Sequence, residues 1–553
     1  WDRGQMLAHA EQEVQVLADR VKVLRDGYLP LIGLQRTFLL GRLCYRSCAT
    51  LNHIMRNQVP EDILPALQHS AESQVELARA IVGASEEELP GAQFAYADEA
   101  VGHPSSLAVE SLHLGFGHGG CGFTNPTAVV GYAAAAGVID TLPLMREMPL
   151  VSEHVPGATA WMGCGIPMYE AAFAVVEDLV ATLAFAVGPA VYPEQWRFVV
   201  KRLLVNGDFY PSGVEELAGR HFQHVALVAA QQEMHAELVS DATNTDHARA
   251  RLRSAAAFGS GNWLSIMNIP QALECDDMTF RHGLRKRLGL RASAVLPETR
   301  CRKPNCDYGP GRIMKNPPCY IGTATSKRWL TAAEHSLGVH WDACKGGGYL
   351  TIGHNAVMRI YAEILRCLGY SVVVKEIAIG RKPGATKFGK RHAPQRLDAL
   401  ATNWMGKEGR TRLGIDTTIG GALIHSKLRR AARRDHYVVY SLEKTKEGLK
   451  AQLSHARGYD FMTAAFDSLG AWGAECTELV VEGFAAKLAA AQTDRDKWLI
   501  IGEKQYLVAR ISMVVQKRNM CILLANAAPL GGGFVPEVRV SLDSEDPPQM
   551  LDA

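Results

Sequence analysis

The chain has 553 residues, 47% of them hydrophobic and 21% charged, with a formal net charge of +2. That length exceeds one hydrophobic core and implies three or four domains, and the composition excludes a disordered or fibrous chain. The near-neutral total removes any argument for nucleic acid from overall charge, the twelve cysteines form no disulfide framework, and no apolar run of about 18 residues is available for membrane insertion.

The elements are predicted in chain order. Leu7, Val14, Leu17, Val21 and Leu24 recur at helical spacing and predict a helix ended by Tyr28-Leu29-Pro30. A second helix runs over 33–56 and is broken by Asn57 to Pro60; a third covers 61–83. Residues 91–125 read as irregular and glycine-rich, 126–138 as a small-residue helix, and 166–258 as mostly helical. The segment 260–290 predicts a helix pair ending near Gly289, with a basic run at 281–291. Texture changes near residue 300, where glycine, proline, cysteine and lysine replace periodicity. From 354 the pattern becomes helix, strand (370–379), basic loop, strand (396–404), turn, strand (412–424), helices and a further strand-like run, which is an α/β layer. The tail from Pro536 is rich in proline and acid and is expected to be disordered.

Two sets of residues carry chemistry. Cys301, Cys306, His340 and Cys344 offer thiolates and an imidazole of the kind that hold structural zinc, with Cys319 or His335 able to replace a member. Glu376, Asp398, Asp416 and Lys446 follow. Carboxylates suit magnesium, and phosphodiester hydrolysis needs carboxylates holding divalent ions, with a lysine to stabilise developing charge. Asp398 and Asp416 sit in apolar runs, LDAL and GIDTTI, where a lone buried charge is costly; the plain alternative is that both lie at strand ends facing water. Basic runs at 281–291, 381–396 and 427–434 flank this set and point to phosphate contact.

Two further motifs compete. Gly115-x-Gly117-x-x-Gly120, with Asp140 twenty residues on, matches a dinucleotide loop and would make the protein a nucleotide-dependent oxidoreductase. The preceding SSLAVESLHL alternates poorly as a buried strand, which favours a packing loop. Tyr96-Ala97-Asp98-Glu99 is like a polymerase box with glutamate for its second aspartate, but the residues upstream of it read as helices.

The run VHWDACKGGGYLTIGHNAV, then SVVVKEIAI, RLDAL, GIDTTI and the segment from LEKTKEGLK to LGAWG, in that order, resembles the C-terminal half of a non-LTR retrotransposon protein with a restriction-like endonuclease. LQRTFLLGRLCYRSC, LGFGHGGCGF and WLSIMNIPQALECDDMTFRHGLRKRLGL extend the resemblance upstream to about four-fifths of the chain. Gly353 stands where the pattern has arginine, and Leu397 where it has proline. The resemblance implies a multidomain protein with a mainly α N-terminal half, a small zinc knuckle and an α/β restriction-endonuclease-like core. Its expected parts are thumb-like helices at 1–150, a helical linker with a basic helix at 151–295, the knuckle at 296–350, the endonuclease at 351–535 and the tail at 536–553. The chain, opening at Trp1, is then expected to follow a polymerase palm of the same polyprotein.

The implied activity is magnesium-dependent nicking of target DNA in the nucleus, to prime reverse transcription, with element RNA as a second partner and no membrane. Asp398 and Asp416 would bind Mg²⁺, Glu376 would add to or orient the set, and Lys446 would be the catalytic lysine, with Lys444 and Lys450 as neighbours that leave its identity open. Cys301, Cys306, His340 and Cys344 would bind Zn²⁺. Arg281, Arg285, Lys286, Arg287, His354, Lys387, Lys390 and Arg391 would contact nucleic acid. An inactive DNA- or RNA-binding relic, or a domesticated module, remains the alternative to the enzyme.

Overall fold

The computed structural model describes residues 3–46, 53–56, 58–90, 107–134, 137, 222–266, 269–270, 273–290, 299–301, 349–380, 394–405 and 409–529. These are mostly helical, with one four-stranded mixed sheet. Among them, no helix is long and apolar enough to cross a membrane. The chain divides into two compact units, residues 1–115 with 122–238, and 116–121 with 239–553. The second unit contains residues 239–290 as well as the sheet.

In the first unit, α1 (Arg3–Val23) buries Ala10, Val14, Leu17 and Val21, the stripe its spacing predicts, and packs on α3 (Pro60–Val82). The helical conformation continues through Tyr28-Leu29-Pro30. A π-turn over Leu24–Tyr28 leads into the short helix Leu29–Ile32, whose first turn tolerates Pro30 because its missing N–H would have no partner there. The break falls at Gly33, with φ of 80°. α2 (Leu34–Arg46) lies against α3: Gly41 faces Leu77 with no room for a Cβ, Tyr45 donates to Ser73 Oγ at 2.7 Å, and Phe38 meets Phe123 edge to face. The glycine-rich region contains a helix that the sequence did not suggest, α4 (Leu107–His113). Burial there pushes the His113 pKa down to about 4. α5 (Phe222–Ser240) follows.

The second unit begins with α6 (Asp246–Ala256), capped by Thr245 accepting from the Ala248 amide, and α7 (Asp277–Leu288), capped by Asp276 and ended by Gly289 in the left-handed region. The expected helix pair at 260–290 is instead a short 3₁₀ turn, Asn262–Leu264, followed by α7. β1 (Thr299–Cys301) pairs antiparallel with β6 (Ala527–Pro529). Then come α8 (Tyr349–Cys367), β2 (Ser371–Gly380), β3 (Gln395–Thr402), β4 (Arg412–Gly420), α9 (His425–Ala431), α10 (Tyr437–Lys446), β5 (Asp460–Asp467), α11 (Ala474–Ala490) and α12 (Asp494–Asn526).

Sheet order is β2-β3-β4-β5, with β2, β3 and β4 antiparallel and β5 parallel to β4. The parallel pair needs the crossover that α9 and α10 supply. Val357, Tyr361, Ile364 and Leu365 of α8 pack with Ala399, Ala401, Leu413, Ile415, Ala464 and Phe466 of the sheet and with Ile511 and Val515 of α12. Trp472 stands at the centre, edge-on to Phe258, Phe466 and Tyr361 at 5.2, 5.3 and 6.1 Å between ring centroids.

Candidate active site

The site lies where β3 and β4 stop pairing. Their last pair is Ala399 with Ile415, so Asp398 and Asp416 stand opposite each other one step further. Two like charges in that relation repel. Both are answered by cations from neighbouring helices.

Asp416 is almost wholly buried and lies between two lysines. Lys446 Nζ is 3.0 Å from its Oδ2; Lys450 pairs with its Oδ1 and donates to the Arg396 carbonyl at 2.7 Å. Spacing of four residues puts both amines on one face of the helix. Just after Lys446 the helix widens into a π-turn, Glu447–Ala451, which carries Lys450, so its placement is set by an irregular turn that no periodicity reveals. Lys444 points outward and pairs with Glu447.

Asp398 is held differently. Its Oδ2 accepts from the Thr417 amide at 2.6 Å and lies 3.3 Å from His354 Nε2. That ring nitrogen also meets the Thr417 carbonyl at 3.0 Å, and two acceptors require it to carry the proton. Burial alone would raise the Asp398 carboxyl, but the hydrogen bond and charge of His354, the Thr417 amide and Lys450 outweigh it and hold its pKa below the ordinary value. Burial opposes the His354 imidazolium as well, yet Asp398, Asn355 and the Thr417 carbonyl raise its pKa.

These groups line one cleft of about 940 Å³, whose walls include Asn355, Arg359, Lys375, Arg396 and Arg518. Glu376 also lines it but is exposed and paired with Arg396. It lies within a register shift in β2, between Val374 and Ile377, and does not join the two aspartates in a three-ligand set. Among the described residues, no three of histidine, cysteine, aspartate and glutamate converge on a metal-sized site. The two aspartates do fit a divalent ion in donor chemistry: hard oxygens on adjacent strands, with Asp416 Oδ2 buried and ion-paired with Lys446, an amine that an ion could replace. At Gly353, where the resembling pattern has arginine, the Arg518 side chain lies across the backbone; a Cβ there would meet its Cδ at 2.5 Å and Cγ at 2.6 Å.

Several expected residues are placed elsewhere. Arg285, Lys286 and Arg287 are buried in α7 and do not form a phosphate-gripping face. Arg287 donates to the carbonyls of Gly120, Phe116 and Ala255 and to Ser260 Oγ, at 2.8 to 3.1 Å, which commits its guanidinium to the fold. Lys286 lies near buried Asp467 and favours its charge. Arg281 is half-buried on the same helix. The segment before Gly115-x-Gly117-x-x-Gly120 is the helix α4, so the strand that a dinucleotide loop requires is not there. Cys301 lies in β1, while Cys306, Cys319, His335, His340, Cys344, Lys387, Lys390, Arg391, Asp140 and the 96–99 box fall outside the described residues, as does the tail from 536.

The sequence did not single out two further buried carboxylates, one within a helix and one at the end of a strand. Glu443, one turn before Lys446, is buried and accepts from the Glu475 amide at 3.3 Å. Burial and the Glu475 charge push its pKa up to about 7. Asp467 is fully buried at the end of β5, bonded to Ser254 and to the amides of Leu469 and Ala471. No family model matches the chain, and no curated protein is similar to it.

Proposed function

We propose that this chain is a magnesium-dependent endonuclease that hydrolyses one strand of DNA at the cleft between β3, β4, α8 and α10. The observation that carries the reading is the pairing of Asp398 and Asp416 across adjacent strands, with two lysines on one of them. The order helix, three antiparallel strands, crossover helices and a parallel strand supports a restriction-like core. The resemblance to retrotransposon endonucleases supports target-DNA nicking as the use of the activity.

In this reading Asp398 and Asp416 hold the ion, which supplies charge neutralisation and an activated water at the scissile phosphate. Lys446, the more exposed of the two amines, turns from Asp416 to the phosphate oxygens or to the attacking water. Lys450, tied to the Arg396 carbonyl, stays and positions Asp416. His354 fixes Asp398 through the hydrogen bond between Nε2 and its carboxylate. A zinc knuckle at Cys301, Cys306, His340 and Cys344 is part of the same proposal, as are element RNA and an upstream polymerase as partners.

A second reading, a phosphate-binding module without catalysis, is favoured by one observation: lysines already satisfy Asp416, and Glu376 is turned to Arg396. An end-labelled DNA duplex separates the two. Hydrolysis leaving a 3′-hydroxyl and a 5′-phosphate, dependent on Mg²⁺ and reduced at least about a hundredfold in Lys446→Met, supports the enzyme. Retention of the duplex with no cleavage by any divalent ion supports the binding module.

A further inference from the structure

The corner between α9 and α10 carries a second charged surface, away from the cleft. Arg429, Arg430, Arg433 and Arg434 are all exposed there, while Leu428, Ala431 and Ala432 between them are buried. The burial pattern therefore turns every guanidinium outward. Like charges three and four residues apart repel, yet among the described residues none of these arginines meets a carboxylate. Asp435, the acid within the turn, is taken by Arg253.

Two of the guanidiniums are fixed in place rather than free to sweep. Arg430 donates to the Tyr437 hydroxyl at 3.0 Å and lies over its ring; Arg434 lies 4.6 Å from the Tyr440 ring centroid. His436, between the turn and α10, has φ of 55°, an uncommon conformation for a residue with a side chain, and it delivers Tyr437 to the start of the helix. Lys444 Nζ also lies 5.8 Å from the Tyr440 ring centroid. Because cations already occupy the rings, the surface offers oriented N–H donors and not bare aromatic faces for base stacking.

We propose that this corner is a second nucleic-acid surface that grips the phosphodiester backbone of duplex DNA without reading its sequence. The inference rests on the nuclease reading for the choice of DNA as partner. The corner lies on a different face of α10 from Lys446 and Lys450, and Tyr440 is about 15 Å along the helix axis from Lys450. It therefore supplies affinity and orientation without touching the reacting atoms.

The test is binding of a short labelled DNA duplex to the full chain in magnesium-free buffer across a salt series, which needs no cleavage and so stands apart from the nuclease assay. Replacing all four arginines by glutamine is expected to weaken binding at low salt and to flatten the slope of log K against log salt by roughly 3 to 4, at about 0.9 per phosphate contact. The matching fourfold lysine variant keeps the charge and is expected to keep the slope, which controls for misfolding. An unchanged slope in the glutamine variant overturns the proposal. So does competition by a glutamate-rich peptide as effective as that by duplex of equal charge, which would assign the corner to an acidic protein.

Discussion

Asp467 shows what burial does to a single carboxylate. Burial raises its pKa to about 6, against the pull of Ser254, the Ala471 and Leu469 amides and Lys286. An acid whose folded pKa lies above its unfolded value binds more protons when folded between the two. The stability this gives is present below about pH 4 and is lost as pH rises toward 6. Asp467→Asn keeps the acceptor for both amides and can donate to Ser254 Oγ. Denaturant unfolding at pH 4 and pH 7 is expected to show a smaller fall in stability for the variant, by on the order of 2 to 3 kcal/mol; an equal fall in both would show that Asp467 is ionised without penalty. Gly353 belongs to the same scale. Gly353→Ala is expected to destabilise the unit by about 1 to 3 kcal/mol, because a Cβ meets the buried stem of Arg518 and forces it to shift. Retained stability in thermal melts would mean that Arg518 moves freely. Asp398 and Asp416 drew attention in the sequence because carboxylates inside apolar runs need partners, and the structure puts Lys446 beside Asp416. The Lys450 pairing was not legible there, and neither was the burial of Arg285, Lys286 and Arg287, since a run of basic letters is the same whether it faces water or backbone carbonyls.

At the scale of elements, the strands and α8 were readable because each carries one strong period. Val357, Tyr361 and Ile364 fall on one stripe, and Ala399 and Ala401 alternate with Asp398 and Leu400. The departures fall where local chemistry overrides period. Leu107–His113 folds as a helix within a glycine-rich stretch, Pro30 starts a helix instead of ending one, and residues 447–451 widen into a π-turn. That turn has a consequence for the site. Deleting the exposed Gly448 closes the π-turn into an α-turn and leaves Lys450 only three residues after Lys446, about 60° around the helix from it, which carries its amine away from Asp416. The expected result is a folded protein, by circular dichroism, with cleavage lowered at least about tenfold. Full activity would show that Lys450 does not position Asp416. Trp472, edge-on to three rings, joins β5 to α8 and to the loop at Phe258. Trp472→Ala is expected to cost about 3 to 5 kcal/mol in unfolding experiments; a loss below about 1 kcal/mol would mean that the cluster closes over the gap.

The whole molecule combines a helical unit with one built around the mixed sheet, and the candidate chemistry belongs to the second. The cleft brings together residues from 354 to 450 because β3 and β4 end side by side and the crossover helices return over them. The change of texture near residue 300 marked the start of that region in the sequence. The inclusion of 239–290 was not marked, because contacts such as Ser254 with Asp467 join positions over 200 residues apart. The central claim is that Asp398 and Asp416 make a metal-dependent nuclease centre. The most direct measurement is nicking of supercoiled plasmid by the full chain with Mg²⁺, beside Asp416→Asn, which keeps the side-chain shape next to the two lysines. The account predicts open-circular product with the wild-type protein, none after chelation of the metal, and loss of at least about a hundredfold in the variant. Equal nicking by both proteins, or DNA retained and intact with both, would contradict it.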